Sequence, residues 1–158
     1  MADTAPFRRA IRHYPLPMRR RFIALALAAV AAASLTACGG PMSPDELKRS
    51  IETLESTAAE GQLLAGDVAD DRTKATFVRV HSRDLGDVVV HEAEKLNDAE
   101  ADDSEVVSAK TDAIDLADRI DTALGQLQVA PGSESDARTA AKALGRLSAD
   151  AGKLAEGL

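Results

Sequence analysis

Aromatic residues and cysteines are scarce in this chain of 158 residues, which has no tryptophan, one tyrosine, three phenylalanines and one cysteine. Phe77 is the only aromatic residue that follows Cys38. Sites that bind sugars or stack nucleic-acid bases usually need aromatic faces, so both kinds of site are disfavoured after Cys38. A single cysteine excludes an intramolecular disulfide, a cysteine-based zinc cluster and a CxxC redox pair. The core must therefore be built from Leu, Val, Ile and Ala, which suits closely packed helices.

Basic charge is concentrated at the start of the chain, where residues 1–37 hold six arginines and a single acid, Asp3. Residues 38–158 contain 13 basic and 25 acidic residues, a formal balance of −12. Binding to nucleic acid or to anionic lipid headgroups depends on neutralising phosphates with Lys and Arg. We therefore predict that nucleic acid is not a partner, and that charge alone does not hold residues 38–158 at a membrane.

The segment before Cys38 has the pattern of a secretory signal. A basic stretch at residues 19–21 precedes an apolar run over residues 22–37, which is shorter than the roughly 20 residues of a membrane-spanning helix. Leu35-Thr36-Ala37-Cys38 resembles the lipobox of bacterial lipoproteins, with every position matched. The resemblance implies cleavage between Ala37 and Cys38, diacylglyceryl transfer to the Cys38 sulfur and often acylation of the new amino terminus, for example with palmitate.

These features divide the chain into a signal peptide (1–37), a lipidated tether (38–42) and a helical domain (43–158). We expect the domain to lie outside the cytoplasm, attached to the cell membrane because two or three acyl chains on Cys38 suffice for stable anchoring. Met18 is the expected start of translation, since the residues before it do not resemble a signal sequence. The arginines before the apolar run partly match the twin-arginine export pattern. That route stays open beside general secretion, and so does the choice between inner and outer membrane.

Helical patterns fill the domain. Ser43-Pro44-Asp45-Glu46 predicts a helix start, with Ser as N-cap, Pro in the first position and Glu closing a capping box. Apolar or small residues then recur every three or four positions in four segments, at roughly 44–66, 72–97, 104–128 and 136–158. In the second segment Val88 is expected to widen the buried face, and Asn97 to cap the end. The pattern predicts an all-α, antiparallel four-helix bundle, with a three-helix bundle and a loosely docked first helix as the alternative.

One basic cluster interrupts the acidic background at the start of the second predicted helix. Its candidate binding residues are Arg72, Phe77, Arg79 and Arg83. Spacings of seven and four residues place the three arginines on one helical face. We interpret the cluster as a docking patch for an acidic partner, with Phe77 as its hydrophobic anchor. The alternative is ion pairing with the acid-rich neighbouring helices.

His91 and Glu94 are the candidate metal ligands, because they match a His-x-x-Glu spacing. The paired Glu-x-x-His motifs of di-iron bundles are absent, and a solvated histidine among acids is the alternative interpretation. The acidic stretch 98–103 lacks the Gly and Glu that a calcium-binding EF-hand loop requires, so it is interpreted as a connector. We predict neither a metal site nor a cofactor.

The sequence contains no Ser-His-Asp arrangement and no phosphate-binding glycine loop. A narrow bundle filled with Ala, Leu and Val also leaves little room for a substrate. We therefore predict a non-catalytic interaction or adaptor module of the cell envelope, with an envelope protein as its partner. The alternatives are a lipoprotein that binds a metal ion or small cation, and a passive envelope spacer. The domain resembles small helical lipoproteins without an assigned activity, and its oligomeric state is left open.

Overall fold

The computed structural model describes residues 40–158, which form four α-helices. They are α1 (Pro44–Ala69), α2 (Ala75–Asp98), α3 (Ser104–Val129) and α4 (Glu134–Glu156). Their mutual contacts confirm the all-α four-helix bundle, and the three-helix alternative is wrong because α1 packs fully into the core. Gly40–Leu158 separates as one compact unit with its own hydrophobic core, as independent folding requires.

The predicted capping box at the start of α1 is confirmed. Ser43 Oγ accepts a hydrogen bond from the Glu46 backbone N–H at 3.3 Å, while Glu46 Oε2 accepts one from the Ser43 backbone N–H at 2.9 Å. Hydrogen bonding to Ser43, chiefly to its backbone N–H, lowers the pKa of the Glu46 carboxyl below its ordinary value of 4.5. The ionised carboxylate therefore stabilises the first turn, where the positive end of the helix dipole also favours it.

The turn between α1 and α2 ends the first helix later than predicted, at Ala69. Asp71 adopts a left-handed conformation with φ 53°, and the Arg72 backbone N–H donates to the Asp67 carbonyl at 2.8 Å. This geometry is a Schellman motif, which satisfies carbonyls at the end of a helix. Gly66 lies inside the last turn and does not end the helix.

The second helix differs most from its prediction. It begins at Ala75 instead of residue 72, because the left-handed Asp71 precedes it. Val88 is exposed, so the expectation that it widens the buried face is wrong. Asn97 is not the cap either: it lies inside the helix, where its Nδ2 donates to the Ala93 carbonyl at 3.0 Å. The expected apolar faces of α1 and α3, in contrast, are buried throughout.

The helices pair most extensively as α1 with α4 and α2 with α3. Glycines on α4 explain why the first pair is close. A Cβ at Gly145 would lie 2.8 Å from the Gln62 side chain of α1, and one at Gly152 would lie 3.2 Å from that of Glu55. Glycine therefore leaves room for long polar side chains of α1 across the interface, and the order of these contacts shows that the two helices are antiparallel.

Gly61 is the point at which α1 approaches the helix diagonally opposite, α3. A Cβ at this position would lie 2.8 Å from Cδ2 of Leu124 in α3 and 3.2 Å from Cδ1 of Leu144 in α4. Both leucines are completely buried. Within residues 40–158, the other diagonal pair, α2 and α4, makes no comparable contact. The close approach of α1 to α3 in the core therefore depends on a residue without a side chain.

Candidate functional site

Arg72, the first member of the predicted patch, lies in the α1–α2 turn and not on α2. Its guanidinium is 2.9 Å from Asp67 Oδ1 and 3.1 Å from Asp70 Oδ2, two carboxylates at the end of α1. A cation at this position also interacts favourably with the negative end of the helix dipole. Arg72 therefore contributes to ending α1, and it does not share a helical face with the later arginines.

Phe77 is exposed on the side of α2 that faces α1. Its ring stacks on that of His81, with centroids 5.2 Å apart and an interplanar angle of 23°. His81 Nε2 in turn lies 2.9 Å from Glu60 Oε1 of α1. The aromatic side chain thus belongs to a small cluster that bridges α1 and α2.

Arg79 and Arg83 lie towards the opposite side of α2, next to α3. At about 100° per residue, Phe77 is about 160° from Arg79 and about 120° from Arg83 around the helix. Gly86, which is close to Arg79 in this projection, lies beside Asp121 of α3, whose Oδ1 would be 3.4 Å from a Cβ there. The structure therefore separates the aromatic anchor from the two arginines that it was predicted to accompany.

The alternative interpretation was that Arg79 and Arg83 form ion pairs with acidic residues of the neighbouring helices. The described residues do not show such pairs. Within residues 40–158, no carboxylate oxygen lies within 4.0 Å of Arg79 or Arg83. Both side chains are exposed. Interhelical pairing in this region is confined to His81 and Glu60.

The candidate metal ligands His91 and Glu94 are exposed on α2. In the described part of the chain, no group of three His, Cys, Asp or Glu side chains is arranged so that it could hold a metal ion. The lipidation and cleavage residues, Cys38 and Ala37, lie outside the described residues. Among helices α1 to α4, none is long and apolar enough to cross a membrane.

Sequence reasoning missed a groove between α3 and α4. Four cavities of about 540, 340, 220 and 350 Å³ follow one another along it, and neighbouring cavities share lining residues. On α3 the lining extends from Glu105 to Val129, and on α4 from Asp136 to Leu154. Small side chains such as Ala123 and Ala143 line its centre, and they are the only sequence signal that could have indicated it. We call this surface the α3–α4 groove.

Charge is distributed unevenly along the bundle axis. We call residues 40–56, 87–116 and 146–158 the tether half, because they lie at the end where the chain enters α1, and residues 57–86 and 117–145 the far half. The tether half has 16 acidic and 6 basic residues, and the far half has 9 acidic and 7 basic residues. The tether half is therefore strongly acidic, whereas the far half is close to neutral.

Exposed apolar side chains show the opposite distribution. The four most exposed large ones, all in the far half, are Leu63, Phe77, Val80 and Val129. Val129 is 87% exposed and Leu63 is 72% exposed, whereas Val107 in the tether half is 42% exposed. Isolated exposed apolar residues are common on protein surfaces, but their concentration at one end, where charge is also low, distinguishes that end.

Comparisons of the chain with protein-family models, with curated proteins and with solved structures found no match. The fold and the surfaces described above define the protein's class, a small acidic four-helix bundle.

Proposed function

We propose that this chain is a lipid-anchored, non-catalytic interaction module of the bacterial cell envelope. The lipobox at Leu35-Thr36-Ala37-Cys38 supports anchoring through Cys38. Only Gly39 stands between Cys38 and the described residues, so the lipid would be attached at the tether half. The bundle is then held at the membrane by the lipid, and the far half extends away from it.

The observation that carries the proposal is the difference between the two halves. An acidic surface near a membrane with anionic headgroups is repelled, which favours a bundle that points away from the lipid. A helix of 26 residues is about 39 Å long at about 1.5 Å per residue, so the far half would stand well clear of the membrane. That half carries the four most exposed large apolar side chains of residues 40–158, which would be accessible to another protein there.

The cavities support a binding role over a catalytic one. The four cavities of the α3–α4 groove are open surface depressions lined by Ala, Leu, Thr and charged residues, with no histidine or cysteine among the described lining residues. Active sites, in contrast, are usually enclosed pockets.

Anchoring is tested by detergent phase partition of the full chain expressed in a bacterium with an intact lipoprotein pathway. We expect the wild type in the detergent phase, labelled by radioactive palmitate. Cys38→Ser should move to the aqueous phase without label. A wild-type chain that stays in the aqueous phase would exclude the anchor.

The interaction role is tested by photo-crosslinking in the same cells, with a photoreactive amino acid placed at single exposed positions. We expect one defined protein adduct from Leu63 or Val129 in the far half, and none from Val107 in the tether half. The adduct should also be lost in the Cys38→Ser background. If no adduct forms at any of the three positions, the chain is a passive spacer and the proposal is wrong.

A further inference from the structure

The α3–α4 groove lies at a junction without polar bridges. Across the junction between α1 and α2, His81 meets Glu60, and Lys95 Nζ donates to Ser50 Oγ at 2.9 Å. Between α3 and α4, the described residues make no hydrogen bond and no ion pair. This junction is held by apolar contacts alone, so another apolar surface can be added there without breaking a polar contact.

The dimensions of the groove suit a helix. Its lining covers α3 from Glu105 to Val129, which is about 36 Å at about 1.5 Å per residue. An amphipathic helix of about 20 residues would lie along most of that length. Such a helix would place its apolar face against the small side chains at the centre, among them Ala123 and Ala143, in the helix-in-groove mode of recognition.

The rim of the groove in the tether half is acidic, and it specifies the charge of the occupant. Asp112, Asp115 and Asp150 line one cavity together with a single cation, Arg119. Arg119 already lies 3.7 Å from Asp115, and Lys153, which lines the next cavity of the groove, lies 3.7 Å from Asp150. Asp112 has no cationic partner within 4.0 Å among residues 40–158. These three carboxylates therefore outnumber the cations beside them, and a lysine or arginine on an incoming helix would find Asp112 without a counter-charge.

We propose that the α3–α4 groove binds a basic amphipathic helix of a partner protein, with its lysines or arginines against Asp112, Asp115 and Asp150. The inference rests on the proposed function and names the chemistry of the partner. A second copy of this chain does not fit. Copies anchored side by side in one membrane would be parallel, and a two-fold axis along the bundle would then bring the two acidic rims together.

The probe for a direct test is a synthetic 21-residue peptide with Leu and Ala at helical spacing and Lys on the flanking positions. Its binding to residues 40–158 is measured by fluorescence anisotropy at 150 mM NaCl. We expect saturable binding of this peptide, and no binding of a peptide in which every Lys is replaced by Glu. Equal binding of both peptides, or no binding of either, would overturn the inference.

Matched variants locate the site. Asp112→Lys combined with Asp150→Lys should weaken binding by at least about tenfold, because it reverses the charge of the rim. Asp84→Lys combined with Asp87→Lys makes the same change in net charge on the exposed face of α2, and it should weaken binding by less than about twofold. Thermal melts of both double variants show whether the fold is intact. An equal loss in the two would mean that only net charge matters, and the groove would not be the site.

A variant that keeps every charge tests the groove itself. Thr122 lines two neighbouring cavities towards the far half of the groove. Thr122→Trp should fill both cavities and weaken peptide binding by at least about tenfold through steric exclusion. Unchanged binding in this variant would contradict the inference. Because the peptide assay needs neither lipid nor membrane, its failure is distinguishable from failure of the anchoring and crosslinking experiments.

Discussion

At the scale of single residues, Gly61 makes the most specific contribution to the fold. Alanine in the middle of a helix is favoured over glycine by about 1 kcal/mol. At Gly61, however, a methyl group would press on Leu124 and Leu144, which are completely buried. Overfilling a packed core lowers stability by about 1–3 kcal/mol. The packing effect is the larger one.

We therefore predict that Gly61→Ala lowers the free energy of unfolding by about 1 kcal/mol, measured by urea denaturation of residues 40–158. Gly66→Ala on the same helix is the matched control. No atom outside its own helix turn lies within 4 Å of a Cβ there, so it should raise stability by about 0.5 kcal/mol. Stabilisation by both substitutions would show that α1 does not approach α3 as described.

Ser82 is a polar residue in the core of the bundle. It is completely buried on α2, and its hydroxyl has no hydrogen-bond partner among residues 40–158. A buried hydroxyl without a partner retains its full desolvation penalty. Ser82→Ala should therefore raise the free energy of unfolding by about 1 kcal/mol in urea denaturation.

Ser50→Ala is the comparison for this prediction. Ser50 is also completely buried, but its Oγ accepts a hydrogen bond from Lys95 Nζ. Its removal leaves the ammonium group without that partner, so the variant should be no more stable than the wild type. If Ser82→Ala is the less stable of the two variants, Ser82 has a partner that the structure does not show.

At the scale of elements, the helix ends explain where prediction succeeded and where it was wrong. The α1 start was predicted from Ser43-Pro44-Asp45-Glu46, because a capping box depends only on neighbouring residues. The start of α2 was predicted three residues too early. Asp71 in the left-handed region carries no such signal, since only a minority of aspartates adopt that conformation and glycine is the usual residue. Arg72 was consequently assigned to a helix that it precedes.

The capping box of α1 predicts how stability changes with pH. The pKa of the Glu46 carboxyl is lower in the folded chain than in the unfolded chain. A lowered pKa means that its contribution is fully present above the ordinary value of 4.5, and is lost as the pH falls through the lowered value. Glu46→Gln should therefore be less stable than the wild type at pH 7, with a difference that narrows as the pH falls below 4.5.

Urea denaturation at several pH values between about 3 and 7 measures this difference. Ser43→Ala provides the second half of the test, since it removes the hydroxyl that accepts a hydrogen bond from the Glu46 backbone N–H. It should lower the free energy of unfolding by about 1 kcal/mol at pH 7. A difference between Glu46→Gln and the wild type that does not depend on pH would contradict the role assigned to the carboxylate.

At the scale of the whole molecule, the acidic tether half sets the response to salt. With 16 acidic and 6 basic residues in that half, repulsion opposes folding. Salt screens the repulsion, because the Debye length falls from about 30 Å at 0.01 M to about 8 Å at 0.15 M ionic strength. We predict that the melting temperature of residues 40–158 rises by about 4 °C over this range, as expected for about 1 kcal/mol in a domain of this size.

Calorimetry at the two salt concentrations measures the shift. A variant with Asp98→Asn, Glu100→Gln and Asp102→Asn keeps the Asp103 cap of α3 and removes three exposed charges from the connector at this end. Its melting temperature should depend less on salt than that of the wild type. An equal or larger dependence would mean that the repulsion arises elsewhere in the bundle.

The sequence by itself determined the number of helices, the buried faces of α1 and α3, and the capping box of α1, because these features depend on residues within one or two turns of each other. The assignment of Cys38 as a lipidation site also rests on sequence alone and stays a prediction. Both kinds of inference use local patterns, which need no knowledge of how the helices pack.

Only the tertiary structure decided which helices pair and which surfaces they leave open. Phe77 and Arg79 are neighbours in the sequence, but α1 lies beside one and α3 beside the other, so they do not form one patch. Gly61, Gly145 and Gly152 likewise lie against side chains of other helices, and no local pattern predicts those contacts. A periodic pattern shows that a face is buried, but the neighbour that buries it is set by packing of the whole bundle.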